Sequence, residues 1–475
     1  MEFLTVTCLL LVSYAIFSLV RSVLEERSKR CFVLHYECYK GKDEAKLDCE
    51  TCLGIAARNK NLGLEEYQFL LRTMIRSGIG EETYCPRNVL EGREECPTLL
   101  DAYSEMDEIM FDTLDKLFAK TGISPSEIDI LVMNVSLFSP APSMTSRVIN
   151  RYKMREDIKS YNLSGLGCSA GVVSIGLVQS LFRTYKNSLA IVVSTELMGP
   201  IWYCGVERSM MLSNCLFRAG GTSVLLTNKT KLKNKAIMEL KTVVRAHVGS
   251  DDEAYSCCQQ MEDKEGRPGC ILTKYVKEAA TMALTENLQV LLPKVLPLKE
   301  LLHYTIGRAL KRSTKGESSG RRLNLKSGIQ HFCLHPGGRA IIEGMGKSLG
   351  LSEFDVEPAK STLHRFGNTS SSGVWYILGY MEAKKRLKKG DKILMIGLGA
   401  GFECNNCVLE VMKDMDDKNA AWADSIERYP DVLKITSPFK EKYDQINEDE
   451  SGFFEMIKGL AAKRISASAA EKKDA

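Results

Sequence analysis

Cys168 stands in the stretch Gly165-Leu166-Gly167-Cys168-Ser169-Ala170-Gly171. Behind it Val172, Val173, Ile175, Leu177, Val178 and Leu181 recur at helical spacing, so the glycines lie where a loop turns into a buried helix. A thiol at such a start gains partial positive charge and free N–H groups from the helix end, which favour thiolate and a bound oxyanion. The small flanking residues let a bulky substrate reach the sulfur. The arrangement suits a nucleophilic cysteine. The same residues also allow an inert buried thiol at a tight helix start.

Two further stretches carry chemistry. In Gln330-His331-Phe332-Cys333-Leu334-His335 a strand is expected to break at Pro336-Gly337-Gly338, with His331 and His335 on one strand face. A helix with that spacing could bind a metal, but the breaker and the missing Glu after the first His argue against it. Gly367-Asn368-Thr369-Ser370-Ser371-Ser372-Gly373 opens a second apolar helix through Val374, Trp375, Ile377 and Leu378. The pairs Cys49/Cys52 and Cys404/Cys407 have metal-like spacing but lie far apart without a second ligand pair, so no metal site is expected. Sixteen scattered cysteines suit reduced thiols in a cytosol-facing domain. With Lys+Arg 64 against Asp+Glu 60 in 475 residues, no nucleic-acid footprint is present.

The elements that must hold these residues alternate between helix and strand. A helix over 64–76 ends at Ser77-Gly78. An amphipathic helix over 99–120 carries Met106, Ile109, Met110, Leu114, Leu117 and Phe118 on one face and stops at Thr121-Gly122. Strands are expected over 128–133, 188–194, 223–227, 238–246 and 392–396, which points to layered α/β structure. The helix after Cys168 and the strand behind it correspond to the helix after Asn368 and its strand, with Asn standing where Cys stood. The chain therefore reads as a duplicated α/β body, its two helix N-termini facing each other near a pseudo-twofold axis.

Residues Phe3 to Val20 are uncharged and apolar apart from Thr and Ser, roughly long enough to span a bilayer. Arg21, Arg27, Lys29 and Arg30 flank the far end, which places the catalytic body in the cytosol. A cleaved signal peptide is the alternative, opposed by the missing basic residue before the run and the missing small-residue cleavage site after it. The expected organisation is a membrane anchor over 1–23, an N-terminal extension between membrane and body over 24–97, a first half with the nucleophile over 98–235, a second half with His and Asn over 236–414, and a tail over 415–475.

From Cys38-Tyr39-Lys40 to Arg428-Tyr429-Pro430 the chain resembles the plant-type 3-ketoacyl-CoA synthases, the condensing enzymes of very-long-chain fatty acid elongation. The matching motifs include Glu82-Thr83-Tyr84, the run Tyr152 to Leu163, Gly167 to Gly171, Val192-Val193-Ser194-Thr195-Glu196, Leu363 to Ser372 and Gly401-Phe402-Glu403-Cys404-Asn405. The resemblance implies a thiolase-like fold, layered α/β/α/β/α, in a homodimer at the endoplasmic reticulum membrane. It implies acyl-CoA and malonyl-CoA as substrates, no cofactor, and a ketoreductase, a dehydratase and an enoyl reductase as partners. By the same resemblance Cys168 would hold the acyl group, while His335 and the Asn368 amide would donate to the enolate oxygen. The N–H groups of Cys168 and of Gly399-Ala400-Gly401 would bind the other oxyanion. His247, His331 and His364 also match family positions and are expected to be structural. Pro336 stands where the family usually has Ala, as in chalcone-synthase relatives, so a type III polyketide synthase is the near alternative. An inactive anchored elongase subunit is the other. Many family members carry two membrane segments, and one is evident here.

The tail closes with Glu471-Lys472-Lys473-Asp474-Ala475. Lysines third and fourth from a cytosolic C-terminus resemble the dilysine address that returns membrane proteins to the endoplasmic reticulum; a frayed lysine-rich end is the plain alternative. Lys472→Ser with Lys473→Ser is expected to release part of the protein from the reticulum, with condensation in isolated membranes unchanged. Imaging of a protein tagged away from its C-terminus checks this, and equal retention of both forms removes the lysines as the device.

Overall fold

The computed structural model describes residues 30–313, 323–417 and 419–444, with 451–452, 455–456 and 459 beyond them. The expected anchor over 1–23 and the lysines of the tail lie outside the described residues. Among those described, no helix is long and apolar enough to cross a membrane.

One nine-stranded mixed sheet runs through the molecule. Its strands are β1 (Phe32–Cys38), β2 (Ile130–Asn134), β3 (Lys159–Leu163), β4 (Leu189–Thr195), β5 (Gly221–Thr227), β6 (Met238–His247), β9 (His331–Leu334), β10 (Lys392–Gly399) and β11 (Glu403–Val411). A separate hairpin pairs β7 (Cys258–Glu262) with β8 (Pro268–Leu272). The sheet order is β3-β2-β4-β5-β1-β6-β11-β10-β9. Apart from the edge strand β3 this order is a palindrome in pairing sense. Parallel β2/β4 answers parallel β9/β10, and antiparallel β4/β5 and β5/β1 answer β10/β11 and β11/β6. The two halves join where β1 meets β6 antiparallel, with Phe32 opposite Glu239 and Val33 opposite Met238. The duplication expected from sequence is thus present, and its axis passes between β1 and β6.

This corrects the expected organisation. The described part of 24–97 does not lie outside the body: β1 is the counterpart of β6 and sits mid-sheet with Cys31, Phe32 and Val33 fully buried. The rest of that segment forms α1 (Cys49–Arg58) and α2 (Leu64–Ser77), which ends at left-handed Gly78 as its sequence predicts. The described start of the tail is also built in. Trp422 is fully buried among Phe366, Tyr380 and Tyr429, and its indole N–H donates to the Tyr376 carbonyl at 2.8 Å.

Helices fill the layers around the sheet. The amphipathic α3 (Leu99–Thr121) covers β5 and β1. It starts where the Thr98 hydroxyl accepts from the Asp101 N–H and the Asp101 carboxylate accepts from the Thr98 N–H, and it stops at Gly122, φ +67°. Two buried helices, α4 (Ala170–Thr184) and, later in the chain, α8 (Gly373–Ala383), lie between the halves. α4 packs against β2 and β4 on one side and β10 and β11 on the other. Between them in sequence come α5 (Arg208–Leu216), which packs on β8, α6 (Val276–Val295), which covers β6 and β11, and α7 (Glu353–Phe366), which lies against α8 and β9. Asn287 of α6 ties both strands it covers, donating to the Val244 and Cys404 carbonyls at 2.8 Å each.

Arg365, at the end of α7, joins the segments that sequence placed outside the body. Its side chain is fully buried and donates to the Glu82 carbonyl, the Tyr84 hydroxyl and Ser425 Oγ, with Asp424 at 3.4 Å. A planar fork reaches these partners together; a lysine cannot. Arg365→Lys is expected to destabilise the protein by about 3 kcal/mol, since buried acceptors lose their charged donor. Chemical denaturation checks it, and a loss below about 1 kcal/mol would show that this junction is not held by the guanidinium.

Candidate active site

The two buried helices begin almost in contact. Each is preceded by a 3-10 turn, Gly167–Ser169 before α4 and Ser370–Ser372 before α8. A side chain at Gly171 would place its Cβ 2.4 Å from the Ser371 carbonyl oxygen, so only glycine fits there. The turns match in position and backbone: Gly167 (φ +58°) corresponds to Ser370 (φ +55°), Cys168 to Ser371 and Ser169 to Ser372. The sequence correspondence of Asn368 with Cys168 is therefore wrong by three residues. Asn368 lies before its turn, opposite Phe217 in an isolated parallel bridge. Glycine repeats and serine repeats matched the two stretches by composition, while the shared left-handed residue fixes the true register.

Cys168, His335 and Asn368 nevertheless meet. All three line one cavity of about 1270 Å³, together with Gly399, Ala400 and Gly401 at the β10–β11 turn. That turn lies against the Cys168 loop, for a Cβ on Gly167 would stand 2.7 Å from the Ala400 nitrogen. The Asn368 amide has a defined orientation. Its Oδ1 accepts from the Ser370 N–H at 2.9 Å, which leaves the NH2 group as the donor toward the Cys168 sulfur. His335 follows β9 and is 3 % exposed. Its Nδ1 is buried without a partner among the described residues, leaving Nε2 as the nitrogen that can meet a substrate.

The other histidines do not join them. His331 pairs with Asp391 at 2.9 Å at the far end of β9, and His364 bonds the Tyr429 hydroxyl through Nδ1 at 2.8 Å beside Gly80. His247 ends β6, with Nδ1 accepting from the Gly249 N–H at 3.0 Å. It packs beside Gly401 without lining the cavity.

Two buried carboxylates that sequence reasoning left without a role organise the site. Glu196 accepts from the N–H groups of Ser136 (3.0 Å) and Leu137 (2.9 Å) and from Ser370 Oγ (3.2 Å), and Ser136 Oγ in turn accepts from the Gly167 N–H. Glu403 accepts from Ser169 Oγ at 2.5 Å, and Asn405 donates to that same hydroxyl. Both stand in the motifs Val192–Glu196 and Gly401–Asn405; the signal was a charged residue at the end of a strand, Glu196 just after β4 and Glu403 at the start of β11. The β7–β8 hairpin, also missed, brings Cys258 and Cys270 to the cavity wall. Among the described residues no group of His, Cys, Asp and Glu could hold a metal ion.

The electrostatics depart from the expected thiolate. Burial pushes the Cys168 thiol up to about 12, only partly opposed by hydrogen bonds from Ser370 and Asn368, and the carboxylate of Glu196 pushes it further up. Burial also pulls His335 down to about 4, so its ring is neutral at physiological pH. The resting pair is an uncharged thiol beside an uncharged imidazole.

Similar proteins are found for both halves. A family described as FAE1/type III polyketide synthase-like protein matches residues 23–314, and the C-terminal part of 3-oxoacyl-[acyl-carrier-protein] synthase III matches residues 323–411. The chain is 70 % identical over 461 residues to 3-ketoacyl-CoA synthase 19 of Arabidopsis thaliana, covering 95 % of this chain and 99 % of that protein. It is 48 % identical to 3-ketoacyl-CoA synthase 3 of the same plant, covering 97 % and 100 %. Among solved structures, the C-terminal type III polyketide synthase domain of Steely1 from Dictyostelium aligns with TM-score 0.64 at 16 % identity, covering 81 % of this chain and 99 % of that one. A fungal type III polyketide synthase aligns with TM-score 0.63 at 16 % identity, covering 80 % and 99 %. The fold is therefore thiolase-like, of the type III polyketide synthase kind.

A thiol held near 12 predicts its own reactivity profile. Below that value the thiolate fraction grows about tenfold per pH unit. Alkylation of Cys168 by iodoacetamide, followed by mass spectrometry, is expected to accelerate steadily from pH 7 to pH 10 without a plateau. A plateau below pH 9 would mean that the thiolate is preformed in the resting enzyme.

Proposed function

The chain belongs to the 3-ketoacyl-CoA synthase family, within the FAE1/type III polyketide synthase-like proteins, and on that premise we propose how its residues carry out the condensation. The reaction joins malonyl-CoA to a long-chain acyl-CoA and gives 3-oxoacyl-CoA, CO2 and CoA, the condensing step of very-long-chain fatty acid elongation. The observation that carries the assignment of roles is the Asn368 amide, turned by Ser370 so that its donor end faces Cys168 inside the cavity that His335 also lines.

In the first half-reaction the Cys168 sulfur attacks the acyl thioester carbonyl. Its proton leaves with the CoA sulfur, so no separate charge is left in the cavity. The acyl group is then held as a thioester on Cys168. In the second, malonyl-CoA loses CO2, and the developing enolate oxygen takes hydrogen bonds from His335 Nε2 and the Asn368 amide. A neutral imidazole with an unpartnered Nδ1 can keep its proton on Nε2, which is the donor this step needs. The enolate carbon attacks the acyl carbonyl, whose oxyanion lies within reach of the Gly399-Ala400-Gly401 backbone. Collapse expels Cys168 as a thiolate, which takes a proton from solvent, its original proton having left on CoA. No metal or redox cofactor enters the balance.

The enzyme is proposed to work at the endoplasmic reticulum membrane with its body in the cytosol, held by the apolar segment Phe3 to Val20 and passing its product to a ketoreductase, a dehydratase and an enoyl reductase. The uncharged run and the basic residues behind it support the anchor and its orientation. A homodimer is the proposed state.

The test is incubation of membranes carrying the protein with labelled malonyl-CoA and a panel of acyl-CoA primers. A single-extension 3-oxoacyl-CoA is expected; repeated extension would indicate polyketide chemistry, and no product an inactive subunit. Cys168→Ser is expected to nearly abolish condensation. Asn368→Asp is expected to lower malonyl decarboxylation more than Asn368→Ala, since a carboxylate repels the enolate as well as removing a donor; removing one such donor costs roughly a hundredfold. Decarboxylation at the wild-type rate in the Asp variant would sink the role given to Asn368.

A further inference from the structure

We propose that the distal end of the acyl chain is received by a second, apolar cavity, and that Trp202 and Phe217 form the wall that sets how long a chain the enzyme accepts. This rests on the acyl-CoA reading above. The second cavity, of about 930 Å³, lies between α1 and α2 on one side and α5 on the other, with Leu53, Ile55, Leu70, Met74 and Met211 among its walls.

The polar residues at its edge mostly face one another. Arg218 donates to Thr83 Oγ1 and to the Asn214 and Phe217 carbonyls, and Asn214 bonds the backbone of Tyr203 through both ends of its amide. Asn59 donates to the Gly205 carbonyl. Glu95 is exposed and marks a rim, while buried Glu94 takes the Arg58 guanidinium on Oε1 and leaves Oε2 unpartnered. Away from Glu94 Oε2 the walls offer chiefly hydrocarbon contact.

The two cavities are neighbours along the chain twice over. Ile201 lines the catalytic cavity and Trp202 the apolar one; Phe217 lines the catalytic cavity and Arg218 the apolar one. Phe217 is also the bridge partner of Asn368, so this wall begins beside the proposed enolate donor. The catalytic cavity presents Glu196, Gln259 and Gln260 and has to admit the polar arm of CoA. A long hydrocarbon tail gains about 25 cal/mol for each Å² it removes from water. It gains that at the apolar cavity and forfeits part of it among glutamines.

The experiment has two readouts in the full-length protein in membranes. Across a ladder of saturated acyl-CoA primers, Trp202→Ala is expected to move the optimum longer by at least one elongation cycle. Ala56→Phe, which fills the apolar cavity, is expected to lower the ratio of longest-primer to shortest-primer rates about tenfold. Independently of turnover, an acyl-CoA with a diazirine at its far end is expected to cross-link to peptides of α2 and α5. Unchanged profiles in variants that still condense, or cross-links confined to other peptides, overturn the proposal. Wild-type protein that makes no 3-oxoacyl product from any primer would instead overturn the condensing-enzyme reading, while the cross-link site still reports on the cavity.

Discussion

The approach of two helix starts, close enough that Gly171 faces the Ser371 carbonyl without room for a methyl group, is the constraint on which the rest of the site depends. Backbone set against backbone at this distance leaves little freedom to slide, because the alternative positions are clashes rather than looser contacts. The polar ties run across the axis in both directions. Ser169, from the first half, donates to Glu403 of the second, and Ser371, from the second, donates to Asn134 of the first at 2.6 Å. Each half thus fixes the other's helix start. The Cys168 loop inherits its position from residues more than two hundred positions away in sequence.

Fixing the helix starts also explains the left-handed residue in front of each. The chain must turn sharply out of a strand region and into a buried helix. Gly167 does this without steric cost, whereas Ser370 does it as a non-glycine residue. Ser370 is held there by its own N–H on Asn368 Oδ1 and its hydroxyl on Glu196. The strained residue is thus the one that orients the Asn368 amide. Glycine at this place would relax the backbone but remove the hydroxyl that links the amide to Glu196.

Much of this was legible in the sequence, and the failures have physical causes. Elements with a clean period, such as α3 with its apolar face and its Gly122 stop, came out within a residue or two of the observed ends. Cys168, His335 and Asn368 were named from motif and resemblance, and the fold brings them to one cavity. β1 escaped because a strand buried on both faces has no alternation to betray it, and His35 and Glu37 within it satisfy each other at 2.7 Å. β3 escaped because an edge strand with exposed alternate residues, Lys159 to Leu163, reads as a polar loop. The three-residue slip between Cys168 and Asn368 came from matching composition where only backbone conformation distinguishes the registers. Glu196 and Glu403 were seen but unassigned, since a buried carboxylate's role lies in partners that sequence spacing cannot place.

The charge state of the cavity follows from the same close packing. An ion pair of thiolate and imidazolium would have to be sustained in a desolvated space, and burial works against both charged forms. Glu196 further disfavours resting thiolate whenever it is charged, and burial raises its own pKa above the usual carboxylate range. A site built this way holds fixed neutral donors and no permanent charge of its own at the reacting atoms. Negative charge then appears there only when the substrate brings it, as a tetrahedral oxyanion or as the enolate left by CO2. Donors already in place at that moment need no reorganisation, and in a low-dielectric space each is worth more than in water. In the proposed mechanism a preformed thiolate would compete for those same donors, because the Asn368 amide is given to the sulfur first and to the enolate oxygen afterwards. Acylation removes that competition: a thioester sulfur carries no charge, and the amide is free for the second substrate. On the proposed mechanism, one amide thus serves two acceptors in turn, in the order of the two half-reactions.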